Sequence, residues 1–289
     1  MNSESQRCLK IGVDAIPCDL VRLDFTKMNG AGNDFVLVDN RDGKVCLSSS
    51  QISLICDRQR GVGADGLMLL TPCSSGAADW AWRFYNSDGS GAEMCGNGAR
   101  CFARFIQSLT GVRDAVSFET GAGVIRAAFA GSSVIVSLTS PTELKLSETI
   151  LTSSGPLLVH SLNTGVPHAV VFVPDADLAM VGKLGSELRY HSHFSPRGTN
   201  VNFVELKEPS VIRVRTYERG VEGETLACGT GVTASALIAS RVHQFPSPVK
   251  VRVQSGAALE VEFESRDGEF SDVRLSGPAD FTFSGVINV

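Results

Sequence analysis

"RFYNSDGSGAEMCGNG" (residues 83–98) and "RTYERGVEGETLACGTG" (residues 215–231) read as one stretch written twice in the same chain. Each runs from Arg-x-Tyr through a polar turn into Cys-Gly-x-Gly, with Tyr85 and Tyr217 separated by 132 residues and Cys95 and Cys228 by 133. Three more pairs follow the same order. "VSFETGAGVI" (116–125) faces "VRVQSGAALE" (251–260) at 135, "GAGNDFVLV" (30–38) faces "GVPHAVVFV" (165–173) at 135, and "RGVGADGLML" (60–69) faces "RGTNVNFVEL" (197–206) at 137. Any one match is weak. Four in register imply a duplicated unit. Two copies of a fold pack about a pseudo-two-fold axis, so the two Cys-Gly-x-Gly turns are expected to face each other across a cleft, a usual place for a small ligand.

Alternating apolar residues between Gly-rich turns predict strands over 23–27, 35–39, 66–70, 80–85, 115–119, 124–129 and 134–138. In the second half the same pattern predicts strands over 157–162, 169–173, 200–206, 211–217, 249–253, 259–263 and 273–275. Helical spacing predicts helices over 50–58, 97–109, 178–189 and 231–243, with Gly111 stopping the second. Short connections make much of the sheet antiparallel.

With 289 residues the chain can bury two cores, and at 43% hydrophobic and 20% charged it reads as a soluble globular protein. A net charge of −5 without a basic run argues against nucleic acid as a partner. No apolar run approaches the roughly 18 residues of a membrane span. Residues 1–24 carry no apolar signal region, and the eight cysteines are widely spread. The expectation is free thiols in a reducing, cytoplasmic compartment.

Cysteine is most often a small buried hydrophobe, which suits Cys8, Cys18, Cys46, Cys56, Cys73 and Cys101. Two cysteines sharing one turn in both repeats fit that reading poorly. At a helix start the dipole and free amides are expected to lower a thiol's pKa, while the following N–H groups form an anion site. Opposed thiols and inward helix N-termini suit removal of a proton from one face of an α-carbon and delivery to the other. The amides would hold a carboxylate whose charge rises toward the transition state. That is the logic of a cofactor-free amino-acid racemase or epimerase. A Rossmann reading of "GTGVTA" lacks the preceding strand. A Cys-His hydrolase using His168 leaves the second turn unexplained. His191 and His193 read as surface loop residues, and no spacing supports zinc. A non-catalytic amino-acid-binding module remains a rival.

"KMNGAGNDF", "GVGADGL", "FYNSDGSGAEMCGNGARC", "PRGTNVNF" and "YERGVEGETLACGTG" together resemble the diaminopimelate epimerase family, from about Leu23 to the C-terminus. Proline racemases share paired cysteines, but their first motif typically carries His where Asn97 stands here, and phenazine-biosynthesis isomerases lack the two-cysteine arrangement. The resemblance implies an α+β (mixed α/β) fold of two pseudo-symmetric domains, each a mostly antiparallel curled sheet around a central helix. The expected boundaries are 1–22 as an extension of unknown role, 23–140 with about 277–289 as the half holding Cys95, and 141–276 as the half holding Cys228. It implies interconversion of LL- and meso-2,6-diaminopimelate in lysine biosynthesis, with no cofactor and no metal. A proline or hydroxyproline racemase is the alternative.

By motif, the resemblance makes Cys95 and Cys228 the acid/base pair, and Gly96 and Asn97 with Gly229 and Thr230 the carboxylate cradle. Asn33, Asn86 and Asn200 contact substrate, Arg219 grips the distal carboxylate, and His168 and Glu218 assist the thiols or hold amino groups. For the three asparagines, capping their own turns is the competing reading. Three departures from the family pattern stand out: Val166 where Asn is frequent, Gly66 where some members carry Gln, and Phe283 where some place a dimer-contact Tyr. A small-molecule substrate and a homodimer are the partners the resemblance admits.

Overall fold

Gly111 ends a helix as expected, in the left-handed region at φ 73° with its N–H on the Gln107 carbonyl. A Cβ in that conformation would crowd the residue's own carbonyl oxygen, and Gly removes that cost. This helix belongs to a computed structural model that describes residues 22–289. The expected extension, apart from Arg22, together with Cys8 and Cys18, lies outside the described residues.

Among the described residues eighteen strands and four α-helices follow in order. The first series is β1 (Arg22–Gly30), β2 (Asn33–Asp39), α1 (Ser49–Cys56), β3 (Gly66–Pro72), β4 (Trp80–Asn86), β5 (Gly91–Ala92), α2 (Gly96–Thr110), β6 (Ala115–Thr120), β7 (Gly123–Ala130), β8 (Ser133–Ser137) and β9 (Thr142–Thr152). The second is β10 (Gly155–Asn163), β11 (Pro167–Phe172), α3 (Val181–Arg189), β12 (Asn200–Glu208), β13 (Val211–Glu218), β14 (Gly223–Thr225), α4 (Gly229–His243), β15 (Val249–Arg252), β16 (Ala258–Arg266), β17 (Glu269–Pro278) and β18 (Asp280–Asn288).

The order of pairings recurs between the two series. β2 runs parallel to β3 across α1, and β4 parallel to β6 across α2. In the same way β11 runs parallel to β12 across α3, and β13 parallel to β15 across α4. The remaining pairings are antiparallel, so the mixed α/β architecture is mostly antiparallel, as the short connections imply. The two series are stitched by reciprocal exchange: β18 pairs with β1, β9 with β10, and β17 with β8. β17 also pairs with β16, so it belongs to both neighbourhoods.

The main core gathers the inner faces of the sheet around α2 and α4. Helix α4 is buried from Gly231 through Ala239, which is why its sequence "GVTASALIA" is small and mostly apolar, with the Thr233 and Ser235 hydroxyls spent on the Gly229 and Gly231 carbonyls. Helices α1 and α3 cover separate, smaller clusters on the outer faces. The start of α3 falls later than periodicity predicts. The Asp175 carboxylate accepts from the Asp177 and Leu178 amides, and this local turn holds Leu178 out of the helix at 80% exposure. Strand β9 carries no alternation strong enough to read, because most of its side chains face solvent. Among the described residues no helix is long and apolar enough to cross a membrane.

Candidate active site

The two glycine pairs let two helix starts touch. Cys95 is the N-cap of α2 and Cys228 the N-cap of α4, both with extended backbone, φ −148° and −123°. A Cβ added to Gly229 would lie 3.5 Å from the Gly96 Cα, and one on Gly96 would lie 3.7 Å from the Gly229 Cα. Leu275, on the shared strand β17, supports both turns, since the same imaginary Cβ atoms meet its Cδ2 at 3.1 and 3.4 Å. These glycines, expected to admit a ligand to the backbone, also bring one helix N-terminus against the other. The first-turn amides of Gly96, Asn97, Gly229 and Thr230 are among those that an α-helix leaves without an intrahelical acceptor.

The Cys95 Sγ accepts from the Gly98 amide at 3.4 Å, and the Cys228 Sγ lies 3.5 Å from Thr230 Oγ1. Cys95 is half-buried and Cys228 buried. The expectation of lowered thiol pKa values is corrected by the structure. Burial pushes both thiols up, Cys228 most of all, and a charged Glu218 would push both further; the Gly98 and Gly231 amides pull the other way but do not win. Cys95 keeps a solvent-facing edge, so the upward push is firmer for Cys228. Burial likewise raises the Glu218 carboxyl, with Asp65 adding to it, so a neutral Glu218 weakens that repulsion.

Asn97 ties the two turns together. Its Nδ2 donates to Asn33 Oδ1 at 2.6 Å and to the Ala227 carbonyl, directly before Cys228, at 3.2 Å. Its Oδ1 accepts from Arg100 Nη2 at 2.8 Å. Asn33 in turn donates to Asp65 Oδ2 at 2.9 Å, and Asp65 and Asp34 share Arg58. Burial alone would raise the Asp34 carboxyl, but Arg58 and Lys27 hold it below its usual range. Sequence reasoning missed Arg100. It is fully buried, and its guanidinium donates to the carbonyls of Gly96, Gly30 and Pro278 besides Asn97. Among the described residues it has no carboxylate partner. An arginine set among Ala99, Cys101, Phe102 and Ala103, two residues after "CGNG", was the available signal.

On the other side, Asn200 donates to the Pro167 carbonyl at 2.9 Å and accepts from the Arg219 amide at 2.9 Å. Arg219 Nη1 donates to the Arg197 carbonyl, and among the described residues its guanidinium makes no direct ion pair, Glu222 acting on it only at longer range. Burial lowers its pKa, with Arg189 and Arg197 adding to the effect. Asn86 stands apart: it is exposed and donates to Ser90 Oγ within its own turn at 3.0 Å, the self-capping alternative. His168 is 1% exposed with Nε2 unpartnered among the described residues, and burial followed by Arg219 pulls its pKa down to about 3. Asn202 and Thr216, both buried behind it, were not singled out from sequence. The departure at Gly66 has a steric cause, since a Cβ there would fall 2.6 Å from the Tyr85 carbonyl oxygen. Val166 is half-buried, its side chain has no polar group, and its carbonyl accepts from the Thr164 amide. A cavity of about 210 Å³ opens beside His168, with Asn163, Lys145, His193 and Arg197 in its wall, and neither thiol lines it. Cys46 departs from the buried-hydrophobe expectation, being exposed.

The diaminopimelate epimerase family model matches residues 25–143 and 160–281. Diaminopimelate epimerase of Aquifex aeolicus is 43% identical over 275 residues, covering 91% of this chain and 97% of the relative. That of Chlorobaculum tepidum is 39% identical over 267 residues, covering 91% and 100%. Among solved structures, a hydroxyproline epimerase from Agrobacterium vitis with bound trans-4-hydroxy-L-proline shares the fold at a TM-score of 0.70 and 16% identity, covering 93% of each chain. A phenazine biosynthesis protein of the PhzF family from Bacillus anthracis also has a TM-score of 0.70, at 14% identity, covering 93% of this chain and 100% of that one. The matched segments contain both Cys-Gly-x-Gly turns, and the chain belongs to the diaminopimelate epimerase family.

Proposed function

We propose that this isomerase interconverts LL- and meso-2,6-diaminopimelate by two-base chemistry at one α-carbon, with Cys95 and Cys228 as the bases. The observation that carries the reading is the contact between two helix first turns, each headed by a cysteine. The reacting carboxylate lies on the Gly96, Asn97, Gly229 and Thr230 amides, which sets the α-carbon between the thiols. One thiolate takes the α-proton, and the electron pair it leaves is delocalised into that carboxylate, where the fixed N–H dipoles stabilise the added charge. The opposing thiol then delivers its proton to the other face. The centre is inverted, and thiol and thiolate have exchanged places, ready for the reverse direction. Since burial opposes a thiolate, the pair carries at most one charge, and its two ionisations are coupled. Burial keeps the Cys95 pKa raised, and the Arg100 positive charge works against that push and so favours that charge.

Arg219, without a carboxylate of its own, suits the distal carboxylate of a diacid, with Asn200 fixing its backbone. Asn33, Asn86 and Glu218 complete the substrate contacts in this reading. Residues 23–140 with about 277–289 form one half and 141–276 the other. A cytoplasmic homodimer belongs to the same proposal: Phe281, Phe283 and Val286 line the exposed part of β18, and sedimentation of the reduced protein reads the assembly. A substrate panel tests the reading. LL-diaminopimelate should be epimerised, whereas L-proline and trans-4-hydroxy-L-proline, which lack a second carboxylate, should not. Turnover of either cyclic amino acid with diaminopimelate untouched would contradict it.

A further inference from the structure

His168, Asn202 and Thr216 lie on the adjacent strands β11, β12 and β13, where register pairs His168 with Asn200 and Asn202 with both Val170 and Thr216. Alternation along the strands puts all three side chains on one face, the one against α4. Thr216 Oγ1 donates to Asn202 Oδ1 at 2.9 Å. Asn202 Nδ2 donates to the Ala169 carbonyl at 3.0 Å and stands 3.2 Å from His168 Nδ1. The three residues are 1%, 0% and 3% exposed, so water does not compete.

A carbonyl oxygen only accepts, so the Asn202 atom facing Ala169 is the amide nitrogen. That nitrogen has a second N–H, directed at His168 Nδ1. The ring nitrogen must therefore offer its lone pair, and the imidazole proton sits on Nε2. Protonating Nδ1 as well would set one N–H against another. Burial and Arg219, which hold the pKa near 3, agree with a ring that stays neutral. Nε2 is itself buried and has no partner among the described residues. The ring also abuts the helix start that Cys228 heads: a Cβ on Gly231 would lie 3.3 Å from the imidazole Cε1.

We propose that Asn202 is a positioning residue that locks His168 in the neutral tautomer with its proton on Nε2, so that His168 meets the bound amino acid as a hydrogen-bond donor to a carboxylate oxygen. His168 then neither accepts a proton at Nε2 nor holds a substrate ammonium there, which narrows the roles expected from the sequence. The identity of the acceptor rests on the epimerase reading; the tautomer does not, because it belongs to the ligand-free protein.

Long-range proton–nitrogen correlation spectra of the ring nitrogens, recorded on protein with nitrogen-15 histidine and assigned by loss of one signal set in His168→Gln, read the tautomer directly. The expected result is a single Nε2–H pattern, unchanged between pH 5.5 and 8. An Nδ1–H pattern, or a ring that titrates in that window, would overturn the proposal without touching the epimerase reading. Asn202→Asp, whose carboxylate accepts from Nδ1, should move the proton to Nδ1; Asn202→Leu, which presents no N–H, should give a mixture of tautomers. α-Proton exchange should fall about tenfold or more in each variant that folds by circular dichroism. A pure Nε2–H pattern persisting in either folded variant would remove Asn202 from its positioning role.

Discussion

Cys228 is surrounded by protein, and that burial decides its chemistry before any substrate arrives. A thiol raised above its usual pKa holds its proton at neutral pH, and its thiolate fraction grows only as pH rises past the ordinary thiol range. Alkylation of Cys95 and Cys228 by iodoacetamide in the ligand-free protein should therefore be slower at pH 7.5 than that of exposed Cys46, and should still be rising at pH 9. Peptide mapping of the modified cysteines reads this, and a plateau by pH 8 would mean that the amides overcome burial. Gly231 is the other residue with no latitude. A Cβ there would meet Asn202 Oδ1 at 2.3 Å, and Asn202 is fixed by Thr216 and Ala169. Gly231→Ala should cost about 1–3 kcal/mol in thermal unfolding through overpacking. Gly98→Ala should cost less, because its equally close neighbour at 2.3 Å is the flexible end of Met68.

At the scale of elements, α2 and α4 act as one unit joined through Arg100 and Asn97. Arg100 bonds the Gly96 carbonyl on its own helix, Gly30 at the end of β1 and Pro278 at the end of β17. Arg100→Met would leave these buried acceptors without donors. It should destabilise the fold by about 3 kcal/mol or more and reduce exchange, whereas Arg100→Lys, which keeps the charge, should recover part of both. Denaturant unfolding with parallel activity assays would check it; equal stability in Arg100→Met would remove the cross-cleft tie. Helices α1, α2 and α4 were legible because each carries a local mark: Ser48 with Gln51 as a capping box, Gly111 as a stop, and cysteine N-caps before Gly-x-Gly. Strand β9 was not legible, since exposed strands carry little apolar alternation, and α3 was misread at its start because an Asp175 turn competes with helix.

Across the whole molecule, duplication was the most informative sequence feature, because it predicted two facing turns that neither motif implies alone. The recurring order of parallel and antiparallel pairings follows the same repeat. What the repeat could not reveal lies in contacts between distant residues: Asn97 with Ala227, Ser255 with Ala31, and Asn202 with His168 have no local signature. Asn86, whose side chain donates to Ser90 within its own turn, would have to release that bond to reach a substrate. The reciprocal placement of β18 beside β1 and β9 beside β10 holds both series of strands in one sheet and so fixes the distance between the two cysteine turns. Only with that distance held can one thiol take a proton while the other gives one. Proton NMR of LL- and meso-diaminopimelate in D2O with reduced protein, beside the Cys95→Ala and Cys228→Ala variants, tests this most directly. Deuterium entering one α-position with interconversion of the isomers, and interconversion lost in each variant, is the predicted result. Full interconversion surviving in either variant would contradict the two-thiol mechanism.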